Sequence, residues 1–173
     1  RGDDHLNNAF RQIQLYKAMG WEIPVFAHMP LIHGQDGTKL SKRHGAIGVE
    51  SYRDLGYLPD ALCNYLLRLG WSHGDDEIIS REDALKWFDF DKVGQSASRF
   101  DITKLDNINS IYIKNLDDDY LIRLLMKELE THPNLIINST TIQRIKAGIK
   151  GLKTRVKTIK ELAEISTFYM ART

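Results

Sequence analysis

The sequence predicts a mainly α-helical protein with a small α/β part at its front. After Gly48, apolar residues recur at helical spacing over most of the chain. Before it, the run Pro24-Val25-Phe26-Ala27-His28-Met29 closes on Pro30 and reads as a buried, parallel-type strand. It is followed by a glycine-flanked basic stretch, Lys39-Leu40-Ser41-Lys42-Arg43-His44-Gly45. The order helix, strand, phosphate-type loop is that of the end of a doubly wound α/β unit.

Taken in order, residues 1–20 read as a loop and a helix, with Asn7 or Asn8 as N-cap and Gly20 just past the C-terminus. Ser51 is expected to cap a short helix from Tyr52 to Leu55, stopped by Gly56. Pro59 suits a first helical position, and Leu62, Tyr65, Leu66 and Leu69 then repeat at helical spacing up to Gly70. Ser80 with Asp83 resembles a capping box opening Arg81 to Phe88. Asp101 is expected to cap a helix reaching about Asn107. Asp117 to Asp119 put acids ahead of a helix from Tyr120 to Glu130, which Pro133 bars from continuing. Thr140 to Lys150 is helical, with Ile142, Ile145 and Ile149 on one face. Thr158-Ile159-Lys160-Glu161 is a capping box starting a last helix to about Met170.

Composition narrows the function. With 42% apolar and 27% charged residues among 173, this is an ordinary soluble composition. No apolar run is long enough to span a bilayer. The start, Arg1-Gly2-Asp3-Asp4, is no secretory leader and, lacking Met, reads as a piece of a longer protein. The single Cys63 rules out an internal disulfide and suits a reducing, cytoplasmic setting; within its amphipathic helix it is expected to be a small buried or half-buried apolar group. The histidines and Cys63 show no metal-ligand spacing, so no structural metal is expected. Residues 131–173 hold eight Lys and Arg against two Glu, a balance of +6 that leaves −5 for residues 1–130. A polyanion is therefore expected to meet the tail and the basic loop.

In that loop Lys39, Lys42 and Arg43 are three cations within five positions. Such a cluster suits a polyphosphate whose charge changes during reaction, because ammonium groups act where negative charge develops. Ser41 has no adjacent base and is expected to fix the loop rather than attack. Lys39-Leu40-Ser41-Lys42-Arg43 resembles the Lys-Met-Ser-Lys-Ser signature of class I aminoacyl-tRNA synthetases, and Asp36 to Ala46 resembles its version in bacterial glutamyl-tRNA synthetases. Arg1-Gly2-Asp3-Asp4-His5-Leu6-Asn7-Asn8, His28-Met29-Pro30-Leu31-Ile32, Tyr57 to Leu66 and Leu69-Gly70-Trp71-Ser72 read like the same family.

The resemblance implies a fragment. Residues 1–48 would be the C-terminal end of a Rossmann-type catalytic domain with the signature loop. Residues 49–115 would be a helical stem-contact region, and 116–173 the start of a helical anticodon-binding domain. It implies Lys42, with Lys39 and Arg43, as catalytic cations; Lys42, Asp4, His5, Leu31 and Ile32 near ATP, the last two through backbone groups; and Arg1 on the glutamate carboxylate, for which a guanidinium fork is suited. The implied partners are ATP with Mg²⁺, L-glutamate and the glutamate tRNA, with the glutamine tRNA left open, in a monomeric cytoplasmic enzyme. The family's first signature, of the His-Ile-Gly-His type, is absent, so the fragment alone is expected to be inactive. A glutaminyl enzyme would continue into β-barrels, which the helical reading after Gly48 disfavours; the shortened glutamyl-queuosine relative would end soon after the catalytic domain, which the more than a hundred residues that follow disfavour.

Lys146, Lys150, Lys153, Lys157 and Lys160 follow a helical rhythm beside an apolar stripe. On one helix they would form a rail for a phosphate backbone, although Gly148, Gly151 and the cap at Thr158 argue against one continuous helix. Lys146, Lys150 and Lys153 are the candidate tRNA contacts. The competing reading of the whole chain is an RNA-binding module, or a synthetase paralogue that keeps the loop without catalysis.

Overall fold

The front of the chain winds up earlier than its asparagines suggest. The computed structural model describes residues 1–40, 48–132 and 135–172. In chain order its elements are α1 (Leu6–Ala18), β1 (Ile32–His33), α2 (Val49–Asp54), α3 (Pro59–Gly70), α4 (Arg81–Trp87), β2 (Ser98–Arg99), α5 (Ile102–Asn115), α6 (Asp118–Leu129), β3 (Leu135–Ile136), α7 (Ser139–Leu152), α8 (Ile159–Ser166) and β4 (Ala171–Arg172). They fall into two compact units, Arg1–Ala46 with Leu66–Asp101, and Ile47–Tyr65 with Ile102–Thr173. The protein is thus mainly helical with a small parallel sheet, as the sequence predicts.

In the first unit, α1 follows directly on a 3₁₀ turn, Asp3–His5, so Asn7 and Asn8 lie inside the helix instead of capping it. Asp3 and Asp4 at its start favour the helix dipole. Gly20 ends α1 as expected: at φ 67° its N–H donates to the Lys17 carbonyl (3.2 Å), and that of Trp21 to the Tyr16 carbonyl (2.9 Å).

Residues 24–29 form no strand, which corrects the sequence expectation. Val25 is 99% exposed. Only Met29 pairs, in parallel with Gly2, its N–H donating to the Arg1 carbonyl (2.7 Å) while the Asp3 N–H donates back to the Met29 carbonyl (2.9 Å). Buried parallel strands need neighbours along their length, and here they are supplied only at the end, at Met29 and at the Ala27 carbonyl, which accepts from the Arg1 nitrogen (3.0 Å). Instead, β1 pairs with β2 in parallel, Ile32 opposite Ser98 and His33 opposite Arg99. Further along this unit, the Ser80 hydroxyl caps α4 by accepting from the Asp83 N–H (3.0 Å). Trp71, 3% exposed, donates from its indole to the Asp89 carbonyl (3.1 Å).

In the second unit α2 begins at Val49 with Gly48 as N-cap, so Ser51 is helical and its N–H donates to the Gly48 carbonyl (3.0 Å). Gly56 ends α2 at φ 85°, and a Cβ there would lie 2.6 Å from the Lys160 nitrogen, so the position admits only glycine. Helix α5 runs to Asn115, well past the predicted Asn107, because Leu105, Ile108 and Ile113 keep one face in the core. That core adds Leu121, Leu125 and Leu129 of α6, Ile145 and Ile149 of α7 and Leu162 of α8, each at most 1% exposed. Helix α7 continues through Gly148, where a Cβ would come within 2.5 Å of the Tyr169 hydroxyl; the glycine lets that ring close on the helix. Thr158 caps α8 by accepting from the Glu161 N–H (3.1 Å), while the Glu161 carboxylate accepts from the Lys157 N–H (2.7 Å). Cys63 is exposed, not buried as predicted, because α3 turns Ala61, Leu62 and Tyr65 inward.

One side-chain bond gives this unit a pH dependence. The Tyr57 hydroxyl donates to Asp106 Oδ1 at 2.6 Å. Burial first, then the bond to that carboxylate, raise the Tyr57 pKa above its ordinary value. The fold therefore favours the protonated phenol, and this contribution is present below about pH 10 and lost above it, as the unfolded chain ionises. Urea midpoints are expected to fall between about pH 10 and 12, and Tyr57→Phe should flatten that fall. Tyr52 and Tyr112, also raised by burial, should leave a remainder. An equally steep decline in the variant would remove Tyr57 from the account.

Candidate functional site

The first unit gathers the front-end candidates around a small hairpin. After β1 the chain reverses through Gly34 to Thr38. The Gly34 N–H donates to the Thr38 carbonyl (2.8 Å), Gly37 takes φ 78°, and the Asp36 carboxylate accepts from the Thr38 N–H and hydroxyl at 3.0 Å each. An acceptor side chain two residues ahead of the amide it binds is an Asx turn, which explains the Asp-Gly-Thr sequence. Lys39 then bridges back to His33, the Leu40 N–H donates to the Ile32 carbonyl (2.9 Å), and the Gln35 amide donates to the Phe100 carbonyl (3.0 Å). The backbone leading into the basic loop is therefore held on both sides.

Across 35 residues of sequence, the Lys39 ammonium meets Asp4 Oδ2 at 2.7 Å. The bond to Lys39 is the main reason the Asp4 carboxyl sits below the usual carboxylate range. The other oxygen, Oδ1, lies 3.9 Å from His5 Nε2, and His5 Nδ1 is 3.1 Å from the Asn8 amide nitrogen. Gly2 makes room for this corner, since a Cβ there would stand 2.6 Å from Asp4 Oδ1 and 3.3 Å from Leu31. Arg1 points its guanidinium at Gln12 of α1, Nη1 donating to Oε1 at 2.5 Å.

Arg1, Asp4, His5, Leu31, Ile32 and Lys39 thus belong to one unit, with Asp4 touching Lys39 and Leu31 lying against Gly2. Lys42 and Arg43 lie outside the described residues. Gln12, which holds Arg1, was not singled out in the sequence; eleven positions from its partner, it carried no signal there.

The basic tail belongs to the second unit. Lys146 and Lys150 are exposed on α7. Lys153, at the C-cap of α7, is instead committed locally: its ammonium donates to the Leu116 carbonyl at the end of α5 (3.0 Å) and to Asp118 Oδ1 (2.6 Å). A cleft of about 370 Å³ also lies in this unit, lined by Tyr57, Leu58, Pro59, Tyr120, Leu124 and Ile159 among others, and it holds none of the predicted site residues. Among the described residues no three His, Cys, Asp or Glu side chains group as a metal site, and no helix is long and apolar enough to cross a membrane.

Residues 1–107 match the family of class I tRNA synthetases (E and Q), catalytic domain. Over 171 residues the chain is 59% identical to glutamate–tRNA ligase 2 of Paramagnetospirillum magneticum, covering 99% of this chain and 36% of that protein. Over 170 residues it is 57% identical to glutamate–tRNA ligase 2 of Rhodospirillum rubrum, again covering 36% of the relative. Among solved structures it is similar to a glutamate tRNA ligase from Elizabethkingia meningosepticum in complex with its amino acid, with TM-score 0.81 and 29% identity, covering 99% of this chain and 37% of that one. The glutamate-tRNA synthetase of Elizabethkingia anophelis gives the same TM-score and identity over 38% of its length. The chain therefore spans little more than a third of the relatives it matches.

Proposed function

Because the chain belongs to the class I tRNA synthetases of the glutamyl and glutaminyl type, we propose that it is part of a glutamate–tRNA ligase. In the complete enzyme a glutamate carboxylate oxygen attacks the α-phosphorus of ATP. A mixed anhydride, glutamyl adenylate, forms and pyrophosphate leaves. The terminal ribose hydroxyl of the glutamate tRNA then attacks the glutamyl carbonyl, and AMP leaves. Charge builds on the phosphoryl oxygens in the first step, where Lys42, with Lys39 and Arg43, acts electrostatically. Asp4, His5, Leu31 and Ile32 form the nucleotide side of the site, and Arg1, oriented by Gln12, takes the glutamate carboxylate. ATP is used with Mg²⁺; the described residues offer no ligand set for the ion, and no step here is routed through it.

The observation that carries this reading is the 2.7 Å contact of Lys39 with Asp4, which joins the Arg-Gly-Asp-Asp-His segment to the root of the signature loop. Residues 1–48 are the end of the catalytic domain in this reading, 49–115 the stem-contact region and 116–173 the start of the anticodon-binding domain. The enzyme works as a cytoplasmic monomer. The test is glutamate-dependent ATP–pyrophosphate exchange, expected from the complete protein and absent from these 173 residues alone. No exchange by the complete protein, with tRNA present, would favour an RNA-binding or inactive paralogue instead.

The tRNA backbone is met by the tail lysines. Lys146 and Lys150, exposed on α7, are its main contacts; Lys153, already neutralised by Asp118, contributes chiefly by holding α7 to the α5–α6 turn. Lys146→Gln with Lys150→Gln should lower the slope of log affinity against log salt by up to about 2 units, equally for cognate and non-cognate tRNA. Lys153→Gln should instead lower the melting temperature. An unchanged salt slope in the folded double variant would reduce Lys146 and Lys150 to a solvated face.

A further inference from the structure

We propose that Arg99 binds a phosphate of the tRNA backbone, at the edge of the small sheet beside the hairpin. The inference rests on the ligase reading above, which supplies the tRNA, and adds a contact in the first unit.

Three basic residues line up across this unit. His33 is in register with Arg99 on one side, in parallel, and with Lys39 on the other, antiparallel. Residues in register on neighbouring strands project from one face of a sheet, so Arg99, His33 and Lys39 form a row on that face. The backbone beneath the row is fixed. The Phe100 N–H donates to the His33 carbonyl (2.8 Å), the Gln35 amide to the Phe100 carbonyl (3.0 Å) and the Leu40 N–H to the Ile32 carbonyl (2.9 Å). Such a platform meets a polyanion without first having to be ordered.

The two ends of the row differ in charge balance. Lys39 lies 2.7 Å from Asp4 Oδ2, so its ammonium is already compensated. Arg99 is exposed, and among the described residues it forms no ion pair. Asp36, the acid of the nearby turn, accepts from the Thr38 N–H and hydroxyl at 3.0 Å each. The Arg99 guanidinium reaches across that turn, since a Cβ at Gly37 would lie 3.7 Å from its Nη2. A guanidinium presents a planar fork of donors that fits two oxygens of one phosphate. His33, next in the row, adds a ring nitrogen.

Position favours an RNA phosphodiester over the ATP phosphates. The nucleotide side of the site is the corner of Asp4 and His5, at the Lys39 end of the row. Arg99 lies two strand spacings from Lys39, about 10 Å. Its strand, β2, pairs only with β1 among the described residues, so Arg99 stands on an edge. An exposed cation on an edge suits a backbone passing over the surface, whereas a small ligand is held in a concave site.

The test uses the complete protein, with tRNA affinity measured across a salt series. Arg99→Gln is expected to weaken binding about three- to tenfold at low salt, equally for cognate and non-cognate tRNA. It should also lower the slope of log affinity against log salt by about 1 unit. Arg99→Lys, which keeps the charge but not the fork, should hold the wild-type slope and regain part of the affinity. ATP binding measured without tRNA should be unchanged in both variants. A wild-type slope in the folded Arg99→Gln variant would overturn the proposal and leave Arg99 a solvated arginine. A loss confined to cognate tRNA, or weaker ATP binding in place of weaker tRNA binding, would overturn it too. Absence of glutamate-dependent exchange in the wild-type protein would instead sink the ligase reading, while the salt slope still judges Arg99.

Discussion

Replacing Lys42 by alanine in the complete enzyme is expected to slow glutamate activation about 10²–10³-fold, or roughly 3–4 kcal/mol of transition-state stabilisation. The negative charge that grows on the phosphoryl oxygens as pyrophosphate departs is the charge a lysine at this position would meet. An ammonium is a compact point charge on a flexible stem and can follow that charge; a guanidinium is a planar fork. Lys42→Arg should therefore rescue only part of the rate. ATP binding should change less than turnover, since the interaction strengthens chiefly in the transition state. Single-turnover measurement of adenylate formation separates the two. Near-normal turnover in the alanine variant would make Lys42 a surface lysine and would remove the signature loop from the chemistry.

The second large effect is on folding and comes from Asn109. Its side chain is fully buried on α5. Its Oδ1 accepts from the Leu58 N–H at 2.9 Å, and its Nδ2 donates to the Lys157 carbonyl. One amide thus closes the turn before α3 and the turn before α8, binding the Leu58 N–H and the Lys157 carbonyl where the chain leaves helical pairing. Asn109→Ala strands a buried donor and a half-buried acceptor together. The expected cost is about 2–4 kcal/mol, a fall of several degrees in melting temperature. Asn107, exposed two positions earlier on the same helix, supplies the control. Asn107→Ala should stay within about 0.5 kcal/mol. Equal melting of the two variants would show that the buried amide does not tie these turns together.

Read along the chain, the sequence determined most of the helix ends and the chemistry of the loop. Gly20, Gly56, Ser80 and Thr158 all punctuate helices where expected, because a cap is a bargain among residues a few positions apart. The resemblance of Lys39 to Arg43 and of Arg1 to His5 to one enzyme family was likewise a property of residue order. What depended on distant partners was decided by tertiary structure alone. Pro24 to Met29 has the composition of a buried strand, yet its backbone meets a neighbour only at its end, where Ala27 and Met29 bond to Arg1 and Asp3, so no strand forms. Helix α5 passes the polar Asn107 and Asn109 because the core holds its apolar face and Asn109 has buried partners of its own. Cys63 and Leu62 are adjacent in sequence, but the facing of α3 buries one and exposes the other. The pairing of Asp4 with Lys39, and of Arg1 with Gln12, has no local period to betray it. Propensities and caps act over one helical turn, whereas these contacts exist only once β1, β2 and the 3₁₀ turn have brought separate stretches of the first unit together.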